Sequence, residues 1–117
     1  DLNKTYKGIA ASSGNSFVHE TESQVILNGS YNINFTMDLV KKDMNLFDQL
    51  SKKLNTKLEI SPFILNIFEE AEKKFGSRAW SSMVVKRLEE KYNINFRASG
   101  FPEELIDNEP EEKGYEI

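Results

Sequence analysis

The sequence predicts an all-α fold, a bundle of about four or five helices with an extended acidic C-terminal tail. Apolar residues recur at helical spacing over most of residues 1–92, a period typical of amphipathic helices. The short apolar run at residues 25–27 cannot form a sheet without a second strand. We therefore predict a helical unit over residues 1–92 and an extended tail over residues 93–117, where acidic residues accumulate.

Composition excludes several kinds of partner and site. The 117 residues suffice for one domain, and an apolar fraction of 38% can build a core. The net charge of −4 disfavours a nucleic-acid surface, and no apolar stretch approaches the ~20 residues that span a bilayer. The chain has no cysteine, which rules out disulfides and thiolate metal ligands. We expect a cytoplasmic protein, and because the first residue is Asp1 we expect the chain to be part of a longer one.

The N-terminal third predicts one helix, a turn and a short apolar segment. Residues 1–11 predict a short helix, which Gly8 weakens by ~1 kcal/mol relative to Ala. Residues 12–16 form a Ser-Gly-Asn cluster whose hydroxyls can cap helix ends. His19, the only histidine, is expected on the surface, because no second ligand for a metal and no catalytic triad accompanies it. Residues 25–27 are expected to form a short helix or an apolar turn, closed by Asn28 and Gly29.

Residues 35–54 predict the longest helix, capped by Asn34 or Thr36. Its solvent row is predicted to be Asp38, Lys41, Asn45, Asp48 and Lys52, and the opposite, packed arc to be Val40, Phe47, Leu50 and Leu54 with Leu39 and Leu46 at its edge. Lys42 and Asp43 interrupt that packed side, and a buried charge needs a partner, a cleft or a ligand. Two interpretations of Lys42 remain open: a side chain lying along apolar surface with its ammonium in water, or a site residue.

Two further helices and a docking segment follow. Ser61 and Pro62 predict a helix start; the helix buries Ile64, Ile67, Phe68, Ala71 and Phe75, and ends at Gly76. Ser77 is expected to cap another helix with Trp80, Val84, Leu88 and Tyr92 on one face, and Trp80 can anchor either a core or an interface. In the tail, Phe96, Phe101, Leu105 and Ile106 are expected to dock on the helices, and the acidic segment beyond them to be loosely ordered.

The longest predicted helix carries a family resemblance. Its pattern of Phe35, Leu39, Lys42, Asp43 and Met44 resembles the C-terminal domain of the 3-hydroxyisobutyrate dehydrogenase family, β-hydroxyacid dehydrogenases related to 6-phosphogluconate dehydrogenase. The segments at 11–16 and 72–82 resemble further motifs of that family in matching order. The resemblance covers roughly 100 residues.

The resemblance implies an all-α C-terminal domain of an NAD(P)-dependent 3-hydroxyacid dehydrogenase. Lys42 would stand near the nicotinamide ribose as a cofactor-binding residue, Asp43 would hold its helix in place, and the turn at 12–16 would either line the substrate mouth or serve only as a cap and loop. The resemblance also places residues 1–11 at the end of a longer interdomain helix, whose upstream part would carry a catalytic lysine and asparagine, so no catalytic residue is expected in this chain. The expected partners are a 3-hydroxyacid substrate and further copies of the protein, with neither nucleic acid nor membrane.

The chain contains no GxGxxG phosphate loop. NAD or NADP is therefore expected to bind only to the complete protein, and this chain alone is expected to be inactive. The alternative function is a non-enzymatic helical module for oligomerisation or protein interaction. A GxGxxG strand, turn and helix upstream of Asp1 would discriminate in favour of the dehydrogenase.

Overall fold

The computed structural model describes residues 1–106 together with residues 110 and 114, and within these residues it confirms the all-α prediction. The elements are α1 (Leu2–Ala10), α2 (Phe17–Asn28), α3 (Met37–Lys53), α4 (Ser61–Phe75), a 3-10 turn (Ser81–Val84) and α5 (Lys86–Tyr92). No strand occurs in this part of the chain, and the extended backbone makes two isolated bridges, Asn32 with Glu104 and Thr36 with Trp80.

Helix α2 is longer than the short segment predicted around residues 25–27. Its N-cap is Ser16, whose hydroxyl accepts a hydrogen bond from the His19 N–H at 3.0 Å, which confirms that the serine cluster caps a helix. It ends at Gly29, which has a φ of 94°. That left-handed conformation suits glycine because a side chain there would be strained.

The expectation that His19 is a surface residue is wrong. His19 is half-buried, and its ring lies 4.9 Å from the ring of Tyr6, centroid to centroid. Its Nε2 lies 2.9 Å from the Tyr6 carbonyl oxygen and its Nδ1 3.2 Å from the Ser23 hydroxyl. A carbonyl can only accept, so Nε2 carries a proton. His19 therefore fastens α2 to α1.

The buried core lies where α2, the loop after it, α3 and α4 meet. The buried apolar residues are Val25, Leu27, Tyr31, Ile33, Met37 and Ala71. Ala71 belongs to the stripe predicted for α4, whose other members are half-buried, so the predicted inner face of α4 is confirmed. Helix α4 begins at Ser61 itself, one residue earlier than a Ser61 cap would give, a difference within the usual scatter of helix ends.

The predicted orientation of α3 is wrong. The side of α3 that is shielded from solvent carries Met37, Lys41, Met44, Asp48 and Ser51, at alternating spacings of four and three residues. Leu46, Phe47, Leu50 and Leu54, expected to pack, are all more than half exposed. The Lys41 ammonium pairs with the Glu72 carboxylate of α4, so this member of the row predicted to face water instead contacts the neighbouring helix, whereas Asn45 and Lys52 of that row are exposed.

The helix predicted to start at Ser77 does not form there. Residues 77–81 run alongside the start of α3: the N–H groups of Met37 and Asp38 donate to the carbonyls of Ala79 and Ser77, at 2.9 and 3.1 Å. A 3-10 turn and the short α5 follow, and the predicted inner-face residues Leu88 and Tyr92 are exposed. Long-range hydrogen bonds to the first turn of α3 thus prevail over local helix propensity.

The segment after α5 docks along the helices, as predicted. The Ala98 N–H donates to the Leu27 carbonyl at 3.0 Å, and the Asn28 amide donates to the Phe101 carbonyl at 3.0 Å. The Phe101 ring meets the Tyr6 ring edge-on at 5.1 Å. Ile106 departs from the prediction, since it is 49% exposed, and most of the acidic tail beyond it lies outside the described residues.

Neither a membrane span nor a metal cluster is found in the described part of the chain. None of its helices combines the length and the apolar character that crossing a bilayer requires. No group of three or more His, Asp or Glu side chains is placed there to hold a metal ion.

Candidate functional site

Lys42 lies on the exposed face of α3, one turn after its start. Its side chain is 59% exposed, and its ammonium lies 2.9 Å from a carboxylate oxygen of Asp43, which is itself about half exposed. A surface ion pair between neighbouring residues contributes little free energy, about 0–1 kcal/mol. The ammonium of Lys42 is therefore available to an incoming anion at little cost.

Lys41 provides the contrast on the same helix. Its side chain is 23% exposed, and its ammonium is held by Glu72 of α4. Because consecutive residues project about 100° apart around a helix, this contact orients Lys42 away from α4. The two adjacent lysines thus have different roles: one joins two helices, and the other is presented to solvent.

Asp43 does not lie on a packed side of α3, contrary to the prediction. Its side chain is 52% exposed and contacts Lys42. The structure thus places it beside Lys42 on the surface, where its carboxylate reduces the local positive charge. It does not hold α3 in place.

The first turn of α3 is fixed by a set of polar contacts around Asp38. The Asp38 carboxylate accepts hydrogen bonds from the Thr36 hydroxyl, from the Leu39 N–H at 3.0 Å and from Arg78 at 3.1 Å. The Thr36 hydrogen bond, with Arg78 contributing, keeps the pKa of Asp38 below its ordinary value despite some desolvation. An ionised acid in the first turn stabilises a helix, so this set anchors the helix that carries Lys42.

The other residues that resemble family motifs take structural positions. Phe35 is half-buried, and its carbonyl accepts from the Ser81 N–H at 2.8 Å. Ser82 is buried, and its hydroxyl donates to the Tyr31 carbonyl at 2.7 Å. The turn at 12–16 is exposed and joins α1 to α2.

A buried charged cluster was missed by the sequence analysis. Glu89 of α5 is 4% exposed and accepts hydrogen bonds from the Tyr31 hydroxyl, from the Phe96 N–H at 2.7 Å and from Arg97 at 2.7 Å. Arg97 also donates to the Tyr31 oxygen at 2.7 Å and to the Ile26 carbonyl at 3.2 Å. We call Tyr31, Glu89 and Arg97 the clasp, because they join the loop before α3, α5 and the docking segment.

Hydrogen bonds within the clasp offset the burial of Glu89. Burial acts to raise the pKa of Glu89, but the hydrogen bonds from Tyr31, Phe96 and Arg97 outweigh burial and lower it. Burial and the neighbouring Glu89 raise the pKa of Tyr31, so the hydroxyl keeps its proton and donates it. No local pattern marks these residues, because the three positions are brought together only by the tertiary fold.

Comparison with known proteins gives one match. Residues 1–88 match the profile of the family described as the NAD-binding domain of NADP-dependent 3-hydroxyisobutyrate dehydrogenase. No curated protein and no solved structure matches this chain.

Proposed function

The chain belongs to the NAD-binding family of NADP-dependent 3-hydroxyisobutyrate dehydrogenase, and we propose that it forms the helical C-terminal domain of a dehydrogenase that acts on a 3-hydroxyacid. The family makes a nicotinamide nucleotide the expected cofactor. The single observation that supports a site on this chain is the exposed ammonium of Lys42, beside a lysine that is already paired.

The residues present fit one part of a nicotinamide cofactor. Lys42 offers a mobile cation on a helix whose first turn is firmly anchored, which suits the ribose and phosphate side of the nucleotide. The sequence holds no glycine-rich loop for the pyrophosphate, so that contact belongs to another part of the enzyme. When bound, the nicotinamide supplies the hydride chemistry between itself and the hydroxyl-bearing carbon of the acid.

Lys42 is expected to contribute by holding and orienting the cofactor. A lysine ammonium is a compact point charge on a flexible stem, so it can follow an anionic group as the substrate cleft closes. Proton transfer is assigned to a residue outside this chain. The role of Lys42 is therefore a binding role, and its loss should weaken turnover with either nucleotide.

The proposal is tested in the dehydrogenase that contains this chain. Lys42→Ala should lower kcat/KM for 3-hydroxyisobutyrate by about 10²-fold, equivalent to about 2.7 kcal/mol of transition-state stabilisation, because a charge that meets the cofactor is lost. Formation of NADH or NADPH is the measurement, and running both nucleotides identifies the preferred one.

Lys53→Ala is the matched control. Lys53 is exposed on α3, eleven residues from Lys42 and therefore on nearly the same side of the helix, three turns further along. Its substitution should change kcat/KM by less than threefold. Equal, small effects of the two substitutions would contradict a cofactor role for Lys42, and would leave the interpretation of a surface lysine with no site.

A second candidate function, oligomerisation, is favoured by one observation. Leu46, Phe47, Leu50 and Leu54 form an apolar stripe along α3 whose members are 52–66% exposed. We call these four residues the outer stripe. Contiguous apolar surface of this kind marks an interaction site. We propose that a second copy of the protein covers it, either within the enzyme or, in the alternative function, as the main role of the chain.

A further inference from the structure

A cavity separate from Lys42 lies between α2, α3, α4 and the 3-10 turn. Its volume is about 370 Å³, within the range of roughly 300–1,000 Å³ that small-molecule sites occupy. Apolar side chains form most of the wall, among them Ile26, Phe35, Val40 and Phe68. The cavity can thus take an apolar chain out of water.

Glu22 is the one ionisable residue in the wall of this cavity. It is half-buried, and burial raises the pKa of its carboxyl group. Within the part of the chain that the structure describes, no hydrogen bond and no ion pair reaches its side chain. Glu89, which is buried, has three donors by contrast.

Three serines, Ser23, Ser81 and Ser82, also line the cavity, and the hydroxyl groups of two of them are already engaged. The Ser23 hydroxyl lies 3.2 Å from the His19 ring, and the Ser82 hydroxyl donates to the Tyr31 carbonyl at 2.7 Å. The Glu22 carboxylate is the one charged group in the wall, and it has no donor among the described residues. An ionised carboxylate in apolar surroundings carries a free-energy cost that a cation offsets.

We propose that this cavity binds a small aliphatic primary amine, with the hydrocarbon chain between α2 and α4 and the ammonium group on Glu22. The charge excludes the acid substrate of the proposed dehydrogenase, because a 3-hydroxyacid anion would be repelled by Glu22. The amine site is thus distinct from the cofactor site at Lys42, and it does not rest on the proposed function.

Three probes of equal chain length test the site: hexylamine, hexanol and hexanoate. Titration of the 117-residue chain, followed by calorimetry and by amide chemical shifts, should show hexylamine binding at least tenfold more tightly than hexanol, and no saturable binding of hexanoate. The shifts should move at Val18, Ile26 and Val84, which line the cavity. We expect this order of affinities because the three probes have similar hydrocarbon chains and differ in the charge of their polar group.

Glu22→Gln should reduce hexylamine affinity at least tenfold and leave hexanol affinity unchanged, whereas Glu59→Gln, at an exposed glutamate, should change neither. Urea denaturation of each variant shows that it is folded. Equal binding of hexylamine and hexanol, an unchanged affinity in Glu22→Gln, or shifts centred on Phe47 and Leu50 in place of α2 would each overturn the proposal.

Discussion

Arg97 is the residue whose side chain joins most parts of the molecule. It donates to Glu89, to Tyr31 and to the Ile26 carbonyl, and its guanidinium lies 5.2 Å from the centre of the Tyr31 ring. A planar guanidinium can make several hydrogen bonds at once, which a lysine cannot reproduce. Its loss would leave the buried carboxylate of Glu89 with fewer donors.

Arg97→Met should therefore lower the free energy of unfolding by roughly 3 kcal/mol at neutral pH, because removing one partner of a buried pair strands the other. Urea denaturation measures the change. Arg78→Met is the control, since Arg78 pairs with Asp38 while its own side chain is 77% exposed, and this substitution should have little effect. Similar losses in both variants would contradict the clasp as a source of stability.

The difference in the free energy of unfolding between the parent and Arg97→Met should depend on pH. The pKa of Glu89 is lower in the folded protein than in the unfolded chain. The stabilisation it brings is therefore complete above its unfolded pKa and is lost as pH falls through the folded pKa. Arg97→Met raises the folded pKa, so the variant should lose less stability than the parent between neutral pH and acid.

At the scale of single helices, substitutions of two glycines are expected to change the free energy of unfolding in opposite directions. Gly8 lies within α1 with open space where a Cβ would be, whereas Gly29 ends α2 at a φ of 94°, and a Cβ there would lie within 3.0 Å of the Arg97 Cζ. Gly8→Ala should raise the free energy of unfolding by about 0.5–1 kcal/mol. Gly29→Ala should lower it by more than that, through strain and displacement of Arg97.

Thermal unfolding followed by circular dichroism measures both glycine variants. Combining Arg97→Met with Gly29→Ala separates backbone strain from displacement of Arg97 as causes of the lost stability. If part of the loss comes from displacing Arg97, the two substitutions should together cost less than the sum of their separate effects. Stabilisation by Gly29→Ala would contradict the observed conformation of the α2 end.

The elements also show what the sequence could and could not predict. Helices α1, α3 and α4 followed from apolar spacing, and the ends of α2 and α4 followed from Gly29 and Gly76, because these signals are local. The orientation of α3 did not follow, because its apolar outer stripe is more than half exposed and its Lys41 pairs with Glu72 instead. The exposure of Lys42 depends on that orientation. The sequence therefore revealed the motif that contains Lys42 but not the surroundings of its side chain.

At the scale of the whole molecule, apolar surface is distributed unusually. Besides the outer stripe, Ile60 and Phe63 at the start of α4 are 71% and 66% exposed. A shallow apolar cleft of about 140 Å³ lies between Phe47, Leu54 and Leu58. Burying such surface against a partner gains about 25 cal/mol per Å² before the costs of association.

Phe47→Glu should therefore convert a self-associated species toward the 13.5 kDa monomer, because a charge in the centre of a dry interface is costly. Sedimentation at tens of micromolar measures the mass. Gln49→Glu adds the same charge to an exposed position on the same helix and should leave the mass unchanged. A parent protein that already sediments as a monomer would contradict the proposed second copy.

The clasp also bears on where a working domain can be cut. The family match ends at residue 88, one residue before Glu89, so two of the three clasp residues lie beyond it. A polypeptide trimmed to that boundary would retain the Tyr31 hydroxyl and the Ile26 carbonyl while losing the donors and acceptor that meet them. We therefore expect the smallest unit that folds by itself to extend beyond the matched residues, at least through Arg97.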